Sequence, residues 1–149
     1  MEMTAATMQS RMAETVARVL QQACRKWAPP RKIKTRDWAN KYRYLSSIEA
    51  ARPGKYVLDV TPYLAWENSP LDALDDPSVQ VVVCQKSAQV AWTSGVLGNF
   101  LGKSIDAEPS PILVLFPKEG AAKEYMDEKF VPMVEATPAL REKVDTRIR

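Results

Sequence analysis

The chain has 149 residues, of which 46% are hydrophobic and 26% charged, enough for one domain with a packed core or for part of a larger one. That balance, with only 5 Gly and 11 Pro, excludes wholesale disorder and the collagen-like and low-complexity classes. The charge is +3 overall but unevenly spread: residues 1–56 hold 12 Lys+Arg against 4 Asp+Glu, and residues 57–149 hold 9 against 14.

Several chemistries fall away at once. The longest apolar runs, Val81-Val82-Val83-Cys84 and Ile112 to Phe116, are far short of the roughly 20 residues of a membrane span. Glu2, Arg11 and Glu14 occupy the region where a secretory signal would be apolar. With no histidine and only Cys24 and Cys84, the chain offers neither a Ser-His or Cys-His hydrolytic pair nor a four-ligand zinc site. Cysteine usage fits a reducing cytoplasm.

In chain order, residues 4–27 read as one amphipathic helix. Met8, Met12, Val16, Val19, Leu20, Ala23 and Trp27 recur at spacings of three and four, and Pro29-Pro30 must end it. This gives an N-terminal arm, 1–28, whose stripe either docks on its own domain or receives a partner helix. A basic, aromatic stretch follows at 29–55, where Arg31, Lys32, Lys34 and Arg36 interleave with Trp38, Tyr42 and Tyr44. It could track a phosphate backbone, with aromatics stacking on bases, or be a solvated linker with aromatics simply packing. Within it, Thr35 to Leu45 forms a short helix and Arg52-Pro53-Gly54-Lys55 a turn. Tyr56 to Val60 reads as extended, and Thr61-Pro62 and Ser69-Pro70 each open a short helix by the N-cap-then-proline order, ending near Asp75-Asp76-Pro77.

The pattern then changes. Val79 to Cys84 and Ile112 to Phe116 are β-branched or apolar throughout, as expected of strands buried on both faces. The helical patterns Thr93 to Ile105 and Lys118 to Met133 alternate with them, the second burying Ala122, Tyr125, Met126, Phe130 and Met133. Strand, helix, strand, helix predicts an α/β domain over 56–149 with a parallel sheet and right-handed crossover. Two strands are few for a stable sheet, and their exposed edges would favour association.

In such sheets, ligands sit at the carboxyl ends of strands, before the next helix. The first such place is Lys86-Ser87-Ala88-Gln89-Val90-Ala91-Trp92-Thr93. Against G-x-x-x-x-G-K-[ST], Thr93 holds the hydroxyl position, but Lys86 and Ala91 stand for the glycines and Trp92 for the lysine. The strict pattern fails.

Lys86 to Val90 followed by Thr93, directly after an apolar strand pattern, nonetheless resembles the displaced-lysine phosphate loop of lambda-type (GpA) phage terminase large subunits. Further pieces agree in order and spacing: Trp38-Ala39, Tyr42-Arg43 and Leu45-Ser46; Arg52-Pro53-Gly54; Thr61-Pro62-Tyr63; Asp72-Ala73-Leu74 with Asp76-Pro77; and Pro111 to Leu115 with Pro117. The resemblance spans about residues 36 to 140. It implies the N-terminal part of a P-loop ATPase domain, preceded by an amphipathic helix, in a motor that packages double-stranded viral DNA into a procapsid. ATP and Mg²⁺ are the implied cofactors. The implied partners are the terminase small subunit, viral DNA and the procapsid portal, in the host cytoplasm, with oligomerisation of the full-length subunit.

On the same resemblance, Lys86 would reach the β- and γ-phosphates, backbone amides from Ala88 to Trp92 would cradle them, and Thr93 would ligate Mg²⁺. Tyr63 either stacks on adenine or packs in the core. Two departures stand out. A methyl group at Ala91, where the family has glycine, costs on the order of 1–2 kcal/mol if φ is positive, roughly tenfold in binding. Leu64 replaces a glutamine that often reads adenine, with extra residues at Ala65 to Ser69. No apolar strand ends in a Walker B carboxylate, so the chain reads as an N-terminal fragment, inactive or nearly so alone. Two other readings are an interaction module binding the small subunit through the arm and basic stretch, and DNA binding by residues 25–43.

Overall fold

A computed structural model describes residues 5–27, 29 and 31–145. The chain divides into two compact units, Met1–Pro30 and Arg31–Arg149.

The first unit is one helix, α1 (Ala5–Trp27), as the three-and-four spacing predicts. Its Met12, Val16, Val19 and Leu20 are exposed. Residues 1–4 and 28 of the expected arm, and the side chains of Met8, Arg25, Lys26 and Trp27, lie outside the described set.

The second unit begins with α2 (Thr35–Tyr42), which ends where Arg43 turns extended. Leu45, expected to continue this helix, instead joins a two-residue antiparallel hairpin of β1 (Tyr44–Leu45) and β2 (Gly54–Lys55). Tyr56 to Val60, expected to be extended, closes into a 3₁₀ turn at Leu58–Val60. Helices α3 (Pro62–Ala65) and α4 (Pro70–Asp75) start at the prolines, as their fixed φ favours. The hydroxyls before them do not cap: that of Thr61 donates to the Leu58 carbonyl at 3.1 Å, and that of Ser69 is buried without a partner. A π-helical segment, Trp92–Gly98, runs into α5 (Asn99–Asp106). Helix α6 (Glu119–Tyr125), a π-turn (Met126–Phe130) and α7 (Val131–Ala136) form one further rod, and α8 (Pro138–Arg141) follows. The π-turn ends two residues before Pro132, which has no amide to give to an α-helical ladder. Met126, expected on the buried face, is exposed.

The main departure concerns the sheet. Neither Val79 to Cys84 nor Ile112 to Phe116 is paired as a strand, and the hairpin is the only sheet among the described residues. Val83 is 88% exposed and Leu113 81%, where full burial was expected. Apolar β-branched composition makes a segment fit for a sheet interior, but a ladder needs a paired neighbouring strand on at least one edge. Among the described residues neither segment has one, so the parallel sheet and its crossover are not formed.

The core therefore belongs to helices. Trp38, Leu58, Leu64, Leu71, Val134 and Leu140 are all at most 2% exposed, with α2 packed chiefly on α5. That packing is close: a Cβ added at Gly102 would fall 2.2 Å from the Trp38 ring. Charge seals the edges. Asp75 accepts from the Thr35 amide at 2.6 Å and its hydroxyl at 2.7 Å, capping α2 from across the fold. Asp106, almost fully buried, accepts from the Trp38 indole at 2.9 Å, Arg31 at 2.8 Å and Lys143 at 2.5 Å.

Burial alone would raise the Asp106 carboxyl. The hydrogen bonds from Lys143 and Trp38, with the charges of Lys143 and Arg31, outweigh it and hold the group below its ordinary 3.8. A lowered carboxylate pKa stabilises the fold above the unfolded value, and that contribution is lost as pH falls through the folded one. Unfolding free energy measured against pH should therefore drop below about pH 4, and Asp106→Asn should flatten that acid limb. Gly102→Ala should lower stability by about 1–3 kcal/mol in chemical denaturation, despite alanine's better helix propensity.

Candidate functional site

The loop between Cys84 and the Trp92–Gly98 segment has an unusual backbone. Gln89 (φ 56°) and Ala91 (φ 53°) both lie in the left-handed region, Ala91 immediately before the helix. A left-handed residue directly beside a helical one, as at Ala91 and Trp92, is the backbone pairing from which anion-binding nests are made. Two contacts hold the bend: the Tyr63 hydroxyl donates to the Val90 carbonyl at 2.7 Å, and the Gly95 amide donates to the Ala91 carbonyl at 2.5 Å.

The bend forms one wall of a cavity of about 730 Å³. Lys86, Gln89, Val90, Ala91, Trp92 and Thr93 line it; Ser87, Ala88 and Tyr63 do not. Lys86 is exposed, and its ammonium makes only a long 3.5 Å contact to the Ser87 carbonyl. Trp92, at the usual lysine position, is half-buried against the core, which leaves Lys86 as the one ammonium on the loop. Thr93 is exposed and its hydroxyl makes no hydrogen bond to a described residue, whereas Ser94 is engaged.

Behind the loop lies a buried ion pair. Arg43, fully buried, pairs with Glu49 and donates to the Ser94 carbonyl, the Ser94 hydroxyl (2.9 Å) and the Asn99 side chain. Ser94 Oγ donates to Glu49 at 2.5 Å, and Asn99 donates to the Gly95 carbonyl at 2.7 Å. The guanidinium also lies 5.0 Å from the centre of the Tyr56 ring. Gly98 lets it in, since a Cβ there would come within 3.1 Å of it. This cluster fixes the first turn of the helix, and with it the neighbouring Thr93.

Further lining comes from the hairpin and from the π-turn before α7. It carries Arg52, Lys55 and Lys129, none of which the sequence reading placed at the site. Arg52 and Lys55 lie in a stretch that reads as a turn, in which Arg52-Pro53-Gly54 also resembles the family but without a role at the site, and Lys129 carries no local signal.

The basic stretch sits differently from a free phosphate-tracking strip. Arg31 pairs with Asp106 and lies 5.3 Å from the centre of the Tyr42 ring; Lys34 (3.9 Å) and Arg36 both pair with Asp72. Lys32 is exposed and makes no ion pair with a described residue. Trp38 is buried, so it packs and is closed to bases.

Ala91→Gly should stabilise the chain by about 1 kcal/mol in chemical denaturation, the left-handed strain relieved less the backbone entropy of glycine. Ala91→Val should destabilise it.

Residues 50–149 match the family described as phage terminase large subunit gpA, ATPase domain. No curated protein and no solved structure matches the chain. Two thirds of the sequence fall within that match, and the chain belongs to the phage terminase large subunit gpA family through its ATPase domain.

Proposed function

We propose that this chain carries the nucleotide-binding part of a DNA-packaging motor ATPase, with ATP held in the cavity beneath the Lys86–Thr93 loop. The observation that carries this reading is the convergence of Lys86, left-handed Ala91 and unpartnered Thr93 on one cavity. Lys86 supplies a mobile point charge to the phosphate chain, and its exposed, unpaired state leaves that charge available. The amides of the bend give the fixed donors, in a frame held by Tyr63 on one side and by Arg43 on the other. The role of Tyr63 is then to hold the loop through its hydroxyl, with the adenine resting against the apolar cavity residues Val57, Val60 and Trp92.

Magnesium commonly takes one or two protein ligands beside phosphates and water, and the free Thr93 hydroxyl fits that need. When bound there, the ion neutralises charge on the phosphates. In the assembled motor, this site would power movement of double-stranded viral DNA through the procapsid portal.

A second reading rests on α1. Its exposed Met12, Val16, Val19 and Leu20 form an apolar stripe suited to a helix-in-groove partner, and the small terminase subunit is the candidate. DNA binding by Arg31, Lys34 and Arg36 has less support, because their charges already meet carboxylates.

The test of the nucleotide reading is calorimetric titration with ATP and Mg²⁺. Lys86→Ala should weaken ATP binding by about tenfold or more, the loss of one charge-assisted contact. Affinity unchanged in that variant would refute it.

A further inference from the structure

We propose that Arg52, Lys55 and Lys129 form a second cationic wall of this cavity, off the phosphate loop, that makes the site select triphosphates over di- and monophosphates. The inference rests on the reading that the cavity holds a nucleotide, and adds what decides its phosphate number.

The charge pattern of the fold sets these side chains apart. Arg31, Lys34, Arg36, Arg43, Lys103 and Lys143 each meet a carboxylate. Arg52, Lys55, Lys86 and Lys129 make no ion pair with a described residue, and all four line the same cavity. The contact of the Lys129 ammonium is the Glu49 carbonyl oxygen, at 3.4 Å. Glu49 is the one carboxylate among the described lining residues, and Arg43 already neutralises it. The cavity thus concentrates four unmatched positive charges, partly against apolar walls that strengthen their field.

Four cations brought to one cavity by three separate segments, the loop, the hairpin and the π-turn, call for a ligand with several negative charges. A monophosphate engaged by Lys86 would leave the hairpin and π-turn cations unmatched. A triphosphate chain lying between loop and hairpin meets both. Arg52 and Lys55 are presented by the turn at Pro53-Gly54, where proline fixes one φ and Gly54 takes φ 130°. The turn therefore fixes where the backbone of both residues joins the cavity lining. Lys129 comes from a separate helix, so the wall is built by the tertiary fold.

The experiment uses the full chain and calorimetric titration at low salt with ATP, ADP and inorganic triphosphate. Arg52→Ala combined with Lys129→Ala should weaken ATP and inorganic triphosphate by about tenfold while changing ADP no more than about twofold. The charge-preserving pair Arg52→Lys with Lys129→Arg should restore triphosphate binding. Unfolding midpoints recorded for each variant separate loss of contact from loss of fold. Equal losses for ATP and ADP, or no loss for either, would overturn the proposal while leaving the nucleotide reading intact. Absence of ATP and triphosphate binding in the unaltered chain would overturn both.

Discussion

The arrangement at the loop depends on a guanidinium that has been taken out of water. Arg43 is fully buried, and a buried charge is tolerable only when its partners are fixed around it. Glu49 neutralises it, while Ser94 and Asn99 accept from it, so these two residues, one in the first turn after the loop and one at the start of α5, cannot shift without uncovering the charge. Arg43 Nε and Glu49 Oε2 remain unpartnered, which places the pair nearer to a positioning device than to a source of net stability. The helix start is thereby held against the hairpin, and the C-terminal end of the loop is fixed at two points, by Tyr63 at Val90 and by Arg43 at Ser94.

The lopsided distribution of charge along the chain has a structural counterpart. The early basic residues Arg31, Lys34 and Arg36 meet the later carboxylates Asp72 and Asp106, and Asp75 caps the helix that carries Trp38. Part of the basic excess after residue 30 is thus matched by carboxylates from later in the chain. Four cations without an ion pair to a described residue, Arg52, Lys55, Lys86 and Lys129, line the cavity.

Much of this was readable from residue order, for identifiable reasons. Helix starts at Pro62 and Pro70 follow from covalent geometry, and the helical pattern at 93–105 lies close to what is observed, because both are local properties. The warning at Ala91 came from the family's glycine, and the backbone there has the positive φ that glycine would suit. The strand expectations failed because pairing is a property of neighbours, and composition says only that Val79 to Cys84 and Ile112 to Phe116 are suited to a sheet. The cavity lining from the hairpin and π-turn was invisible for a related reason. Arg52 and Lys129 are distant in sequence, and only the tertiary fold brings them to one space.

The π-helical stretch after the loop has a consequence of its own. An α-helix advances about 100° per residue, so its two ends have rigidly linked angular phases. A wide turn absorbs one surplus residue and breaks that link. The end bearing Thr93 can be oriented for the phosphate bend while Leu101 and Gly102 keep the rotation needed by Trp38. A further residue inserted into Trp92–Gly98, beyond the one that the wide turn absorbs, would spin one end by roughly a quarter-turn relative to the other. The segment acts as an angular offset between chemistry and core, so changes of length there carry far more weight than changes of side chain.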